Sequence, residues 1–313
     1  MVIDKMHDIA TSFDEVESHF EMLKPYNRPD VLVTPFSSLN RACRGFGAQK
    51  GLPMGWYVVI GGDTGQGKSL LALQLGVAAH EQRFRVGFVS LEMSLPEIKS
   101  RFYAQRIGIE ASRLEPGDRY DPTAQDLVLE WQGKHVDDTS GGIPFWAADR
   151  VGPDLEDVME LMREWLEMGV SVFVVDYLQL MESVDGVGTP REVQKISKMM
   201  RDFAHHNGVL VIALSQYNNE GGNDRANPPH VGHLYGGRRI SQDTDLTIML
   251  DHSRVETDGL QPYLSRTFLL VPKNRNGPKG FEIPLLWDYR YLQAREGMPD
   301  EVKDWPTQGV RKR

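Results

Sequence analysis

The sequence predicts an α/β domain built on a mainly parallel central sheet that is flanked by helices. Short runs rich in valine, isoleucine, leucine and phenylalanine recur along the chain, which is typical of strands buried on both faces. Helical patterns separate these runs and a glycine-rich loop follows the first one, which indicates crossover connections between parallel strands. The predicted parallel strands cover residues 56–60, 86–91, 143–147, 170–175 and 209–214.

The helices between these strands carry recognisable start signals. Ser94 and Glu97 form a capping box, in which the two residues satisfy each other's exposed amides, and Thr189 and Glu192 form a second one. Residues 155–165 place their apolar side chains on one stripe at helical spacing. We therefore expect helices to begin near Ser94, Thr189 and residue 155.

The composition favours an intracellular globular protein. The 313 residues are 40% hydrophobic and 25% charged, which is enough to bury a substantial core. The single cysteine, Cys43, excludes an intramolecular disulfide framework, and no apolar run is long enough for a transmembrane helix. The net charge of −9 argues against a surface that binds nucleic acid throughout, but it leaves room for a local basic channel. We expect a cytoplasmic location and no membrane partner.

The glycine-rich loop after the first strand matches the phosphate-binding pattern G-x-x-x-x-G-K-[ST] at every position. Its glycines let backbone amides turn inward around an anion, and the helix that follows points its positive end at the same place. We expect Lys68 to pair with the β- and γ-phosphate oxygens and the Ser69 hydroxyl to bind Mg²⁺. The loop consists of Gly62, Asp63, Thr64, Gly65, Gln66, Gly67, Lys68 and Ser69.

Two acidic residues follow other predicted strands at the carboxyl edge, where open α/β sheets bind ligands. Asp176 comes directly after four apolar residues and is expected to orient a water on Mg²⁺; the alternative is an exposed acid at a strand end. Glu92 follows residues 86–91 and can orient a water for attack on the γ-phosphate. Its alternative is a simple acid beside a helix.

Four further segments resemble, in order, the motifs of the RecA-like motor domain of DnaB-type replicative helicases. The resemblance covers residues 33–287 and implies a compact, phage-like, hexameric ring that uses ATP and Mg²⁺. It also implies a DNA helicase that moves 5′ to 3′ on single-stranded DNA during replication, with primase or polymerase as further partners. The segments are residues 90–94, 175–180, 213–216 and 273–278.

The resemblance also assigns roles by position. Glu92 matches the residue that activates water, and Arg101 matches an arginine near the nucleotide. Gln216 matches the glutamine that senses the γ-phosphate and relays its loss to the DNA-binding loop. Lys273 and Arg275 match hairpin cations that reach into the nucleotide of the next subunit.

The residues around Arg275 predict a C-terminal β-hairpin independently of the resemblance. Asn-Gly-Pro and Lys-Gly are turn formers, and they lie between strand-like residues 267–271 and 281–286. Cations on an exposed hairpin can complete a neighbour's site, as an arginine finger supplied in trans does. The alternative is a solvated basic turn.

An irregular stretch, residues 217–239, begins directly after Gln216 and is the candidate DNA-binding loop. A loop of this length in a compact domain is usually functional or disordered. Glycine amides can approach a phosphate closely, and an aromatic ring can stack on a base. The segment departs from the family's usual Arg-Glu-Ser-Gly pattern. The candidate contacts are Tyr235, Gly237, Arg238, Arg239 and, more weakly, Arg225.

We expect three parts along the chain. Residues 1–30 form a linker-type helix that starts at a Ser12–Glu15 capping box and packs on its own core or a neighbouring subunit, residues 31–296 form the motor, and residues 297–313 form a basic tail. Because about thirty residues precede the motor, we expect the family's N-terminal helical domain to be absent. The alternatives are a RecA/RadA-type recombination ATPase and a DNA-processing ATPase with a nuclease or packaging role.

Overall fold

A nine-stranded sheet forms the centre of the molecule. The computed structural model describes residues 30–43, 50–114, 121–136, 144–149, 154–183, 186–187, 189–218, 228–252 and 261–302. Their strands are β1 Val31–Leu32, β2 Leu52–Pro53, β3 Tyr57–Gly62, β4 Val86–Ser90, β5 Phe145–Ala148, β6 Val172–Asp176, β7 Glu182–Ser183, β8 Gly186–Val187, β9 Leu210–Gln216, β10 Leu246–Asp251, β11 Leu264–Asn274, β12 Phe281–Asp288 and β13 Gln293–Glu296.

The sheet has the order β5-β4-β6-β9-β3-β10-β11-β12-β13. The strands from β5 to β10 are parallel, so their carboxyl ends meet at one edge. The last three strands are antiparallel and form the predicted C-terminal extension. The predicted fold class, an α/β sheet that is mainly parallel with a C-terminal β-hairpin, is therefore confirmed.

Helices cover both faces of this sheet. The capping boxes at Ser94 and Thr189 are present, and the stripe of residues 155–165 lies in a helix, as predicted. The helices are α1 Ser37–Ala42, α2 Lys68–Glu81, α3 Leu95–Ile107, α4 Pro122–Val136, α5 Leu155–Glu167, α6 Pro190–Asn207, α7 Arg238–Asp243 and α8 Pro299–Val302. In the part of the chain that the structure describes, no helix is long and apolar enough to cross a membrane.

Two apolar clusters, one on each face, hold the layers together. Helices α1, α2 and α3 pack on one face of the sheet, and helices α5 and α6 pack on the other. Strands β3, β4 and β6 are buried along their whole length, which explains their nearly continuous apolar sequences. The prediction that residues 143–147 are buried on both faces is wrong for β5: it is half-buried because it lies at the edge of the sheet.

The β11–β12 hairpin turns at the edge opposite the carboxyl ends of the parallel strands. Lys273 is paired with Thr247, close to the start of β10. The side-chain amide of Asn274 donates to the carbonyl oxygen of Ala42 at 2.9 Å, and a Cβ on Gly277 would lie 2.1 Å from that oxygen. The hairpin is therefore seated against the end of α1. The predicted N-terminal linker-type helix that starts at Ser12, most of the predicted tail and Arg225 lie outside the described residues.

Candidate functional site

The phosphate loop connects β3 to α2, as the sequence predicts. Gly65 and Gly67 have φ angles of 77° and 83°, in the left-handed region that favours glycine. A Cβ on Gly67 would lie 2.9 Å from the ring of Trp287, so this position also requires glycine for space. The loop is therefore shaped both by its own backbone and by β12, which packs against it.

The loop is closed by internal hydrogen bonds. The buried Lys68 ammonium donates to the carbonyl oxygen of Asp63 at 2.8 Å. The Asp63 amide donates to the side chain of Gln66, and the Thr64 amide donates to the side chain of Asp63, both at 2.8 Å. Burial lowers the pKa of Lys68, while the nearby carboxylates of Asp176, Glu92 and Asp63 oppose that shift. An anion whose oxygens accept hydrogen bonds more strongly than a carbonyl oxygen can replace Asp63 as the partner of the Lys68 ammonium.

Asp176 ends β6 next to the loop and is fully buried. Among the described residues, neither carboxylate oxygen accepts a well-formed hydrogen bond. Burial raises its pKa to about 6; the Ser69 hydroxyl and the charges of Lys68 and Arg101 act in the opposite direction, whereas Glu92 adds to the rise.

A buried carboxylate that lies beside a hydroxyl group and accepts no well-formed hydrogen bond fits a divalent cation. No group of three or more acidic, histidine or cysteine side chains in the described ranges could hold a metal by itself. That arrangement suits Mg²⁺, which is usually bound by one or two protein groups, waters and substrate phosphates. Ser69 and Asp176 are thus compatible with the predicted metal site.

A cavity of about 290 Å³ opens above the loop and brings most of the predicted nucleotide residues together. Glu92 enters it because β4 lies beside β6 at the same edge of the sheet. The capping box behind it is closed by hydrogen bonds between Ser94 and Glu97, so the cap does not need Glu92. The predicted residues that line the cavity are Thr64, Gly65, Gly67, Lys68, Ser69, Glu92, Arg101 and Gln216.

Gln216 lies between the phosphate loop and the candidate DNA-binding segment. It is paired with Gly62 across β9 and β3, and its carbonyl oxygen accepts the amide of Tyr235 at 2.9 Å. The side chain of Gln179 donates to Ser215 at 2.9 Å and supports the same strand end. A movement of the Gln216 main chain can therefore be transmitted to Tyr235 through one hydrogen bond.

The candidate DNA-binding residues lie at the start of α7. Gly236 and Gly237 have φ angles of 95° and 68°, and the helix begins at Arg238. Arg239 is exposed, whereas the side chain of Arg238 is outside what the structure describes. Tyr235 is half-buried against the apolar cluster, so only part of its ring is accessible.

Lys273 and Arg275 lie far from this cavity, at the opposite edge of the sheet. The Lys273 ammonium donates to the carbonyl oxygens of Ser241 and Gln242, the latter at 2.9 Å. The Arg275 guanidinium lies 2.8 Å from Asp245, and its side chain is 42% exposed. The chain therefore does not bring its own hairpin cations to its own nucleotide cavity.

Sequence reasoning missed three aromatic neighbours of the loop. Tyr289 lines the cavity and stacks on Trp287 with ring centroids 6.2 Å apart. His252, after β10, has its Nε2 atom 3.1 Å from the carbonyl oxygen of Gln66, and burial lowers its pKa. No motif marks these residues. They reach the loop because β10 lies beside β3 and because β12 packs against the loop.

This arrangement defines a phosphate-loop ATPase domain with a RecA-like fold. Two solved structures share that fold: one is described as an ATPase domain, and the other is a DnaB-like replicative helicase described with its interactions with primase. The first has a TM-score of 0.72 and 20% identity and covers 92% of this chain and 99% of its own. The second has a TM-score of 0.71 and 19% identity and covers 91% of this chain and 68% of its own.

The chain belongs to the DnaB-like helicase C terminal domain family, whose model matches residues 32–295. It is 31% identical over 229 residues to a probable plasmid replicative DNA helicase of Chlamydia trachomatis, covering 72% of this chain and 48% of the relative. It is 30% identical over 235 residues to the replicative DNA helicase DnaB of Leifsonia xyli, covering 73% and 49%. The chain thus spans about half the length of these curated relatives. The family resemblance predicted from the motifs is confirmed.

Proposed function

We propose that this protein is an ATP-dependent, ring-forming DNA helicase of hexameric type. In this proposal it moves 5′ to 3′ on single-stranded DNA during replication in the cytoplasm. One observation carries the proposal: the nucleotide cavity and the exposed Arg275 lie at opposite edges of one sheet. A second copy placed edge to edge can bring its hairpin to this cavity, and repetition of that contact forms a ring when the rotation between copies closes.

Within the cavity, each side chain has a distinct task. Lys68 exchanges the Asp63 carbonyl for phosphate oxygens, while Ser69 and Asp176 would hold Mg²⁺. Bound Mg²⁺ would supply charge neutralisation between the β- and γ-phosphates. Glu92 orients the attacking water, and Arg101 contributes positive charge near the nucleotide.

Gln216 senses loss of the γ-phosphate, and its movement is transmitted through the Tyr235 amide to the start of α7. There, the amide of Gly237 and the cations Arg238 and Arg239 contact strand phosphates, and Tyr235 offers its accessible ring edge to a base. Arg275 of one copy acts at the cavity of the next.

Residues 1–30 and 297–313 are proposed to act as a linker-type helix and a basic tail around the motor. A primase or polymerase is a further candidate partner, because a structural relative has been described with its interactions with primase.

The decisive experiment measures unwinding of two DNA duplexes, one with only a 5′ single-stranded tail and one with only a 3′ tail. The 5′-tailed duplex should open only with ATP and Mg²⁺, the 3′-tailed duplex should remain closed, and Lys68→Ala should open neither. Strand pairing or filaments without unwinding would instead favour a recombination ATPase. Cleavage that needs metal but not ATP hydrolysis would favour a nuclease.

A further inference from the structure

The phosphate loop is held from outside by a side chain that comes from another strand. His252 follows β10, and β10 is the parallel neighbour of β3, from which the loop emerges. Because Met249 is paired with Gly61, the end of β10 lies at the level of the loop. There, Nε2 of His252 lies 3.1 Å from the main-chain carbonyl oxygen of Gln66, a residue 186 positions earlier in the chain.

The ring of His252 is the donor in this contact. A carbonyl oxygen can only accept a hydrogen bond, so the proton of the imidazole lies on Nε2. Burial lowers the pKa of His252, which keeps the ring uncharged at neutral pH. The ring therefore carries one proton, on the nitrogen that faces the loop, and Nδ1 carries none.

This hydrogen bond determines the direction of the amide that follows Gln66. The peptide between Gln66 and Gly67 is trans, and in a trans peptide the carbonyl and the N–H point in opposite directions. A Gln66 carbonyl held towards His252 therefore turns the Gly67 amide away from His252. Gly67 lines the nucleotide cavity and His252 lies outside it, so the amide is turned towards the side on which the phosphates bind.

The loop's own sequence does little to fix this peptide. Gly65 and Gly67 flank Gln66 with φ angles of 77° and 83°, and glycine adopts positive and negative φ about equally readily. The side chain of Gln66 accepts the Asp63 amide at 2.8 Å, which closes the loop but does not hold the Gln66 main-chain carbonyl. A donor from outside the loop is therefore what selects one orientation of the peptide.

We propose that His252 is a positioning residue for the phosphate loop: its Nε2–H holds the Gln66 carbonyl outward, so that the Gly67 amide points into the cavity and receives the nucleotide's phosphates. The inference deepens the proposed function and rests on it, since it concerns how ATP is bound at this loop. The amides of such a loop cradle the α- and β-phosphates. ADP carries both of these phosphates, so His252 should support the binding of ATP and ADP alike.

The first test compares the affinities of ATP and ADP for variants of the whole chain. His252→Ala should raise both dissociation constants about tenfold, because one net hydrogen bond that shapes the cradle is lost. His252→Gln places an amide donor at a similar reach and should restore most of both affinities. His206→Ala removes an exposed histidine at the end of α6 and should change neither. In His252→Ala, KM for ATP should rise while kcat at saturating ATP stays close to the wild-type value, which is the signature of lost uniform binding.

Three results with folded variants would overturn the proposal. Unchanged affinities in His252→Ala would show that the loop keeps its shape without the donor. A loss confined to ATP would place the effect at the γ-phosphate rather than at the cradle. An equal loss in His252→Ala and His252→Gln would show that the packing of the ring matters and its donor does not. Thermal unfolding of the same preparations establishes that each variant is folded.

The second test determines the tautomer of His252 in the nucleotide-free protein, by nitrogen NMR of protein labelled in its histidines. The signal is identified by its loss in His252→Gln. We expect a proton on Nε2 and none on Nδ1 at neutral pH, and a proton on Nδ1 alone would overturn the proposal. A wild-type protein that binds ATP and ADP but opens no duplex would remove the proposed helicase and leave this inference in place, whereas a protein that binds neither nucleotide would remove both.

Discussion

Substituting alanine for Arg275 separates a small structural effect from a large functional one. The guanidinium is 42% exposed, so its ion pair with Asp245 contributes at most about 1 kcal/mol to stability. The buried Asp245 carboxylate keeps two other contacts: the Tyr57 amide at 2.9 Å and Nε2 of His205 at 2.8 Å. We therefore expect Arg275→Ala to lower the free energy of unfolding by about 1 kcal/mol, out of a typical total of about 5–15 kcal/mol.

Hydrolysis should respond much more strongly to the same change. Loss of an arginine supplied in trans lowers turnover by roughly 10³-fold or more, which corresponds to about 4 kcal/mol of barrier. ATP affinity should hardly change, because the residues of the nucleotide cavity remain in place. The measurements are steady-state ATP hydrolysis, a nucleotide-binding titration and thermal unfolding of the same preparations.

A mixing experiment identifies the direction in which Arg275 acts. Lys68→Ala lacks a working phosphate loop but keeps its hairpin, whereas Arg275→Ala has the opposite defect. Mixed oligomers contain interfaces that pair an intact loop with an intact hairpin, and these should restore hydrolysis. The reasoning is refuted if Arg275→Ala alone hydrolyses ATP at the wild-type rate, or if no mixing ratio restores activity to two inactive variants that still assemble.

Three further changes test other parts of the site. Glu92→Gln should keep ATP affinity in a binding titration and lose turnover, and normal turnover would remove Glu92 as the group that orients water. The pKa of Asp176 is about 6 in the fold against an ordinary value of 3.8. In the metal-free protein, the contribution of Asp176 to stability should therefore be fully present below pH 4, and up to about 3 kcal/mol of it should be lost as the pH rises through 6. Asp176→Asn should flatten that pH dependence in thermal unfolding and abolish Mg²⁺-dependent hydrolysis, and an unchanged profile would contradict the assignment. Arg239→Ala should reduce the salt dependence of single-strand binding by about one unit of slope, measured by fluorescence anisotropy, whereas an identical slope would place Arg239 away from the strand.

Local chemistry made part of the site predictable. The phosphate loop, the capping box at Ser94 and the acid that ends β6 each depend on residues close together in sequence, and their patterns can be read directly. Five of the six parallel strands that the structure describes were predictable for a related reason; β10 was not among the predicted parallel strands. Burial on both faces leaves a nearly continuous apolar run, although β5, which has such a run, is only half-buried at the edge of the sheet.

Contacts between distant strands were not predictable in the same way. Trp287 reaches Gly67 because β12 packs against the loop, and nothing in either local sequence specifies that contact. Lys273 reaches α7 because of its pairing with Thr247, beside an irregularity in the β10–β11 register. The sequence correctly indicated a cationic hairpin, but the partners of its cations depend on this register, which local propensity does not encode.

The β11–β12 ribbon runs from the phosphate loop to the hairpin turn at the opposite edge of the sheet. At one end Trp287 touches the phosphate loop of its own chain, and there it is paired with Ser265; at the other end Arg275 follows Asn274. Residues 265 and 274 lie on the order of 30 Å apart along an extended strand. β11 and β12 are paired without interruption over residues 264–271 of β11, and such a ladder of hydrogen bonds stiffens the ribbon along its axis. In the proposed ring, a shift of the loop on nucleotide binding would therefore be transmitted along this ribbon towards the hairpin that carries Arg275.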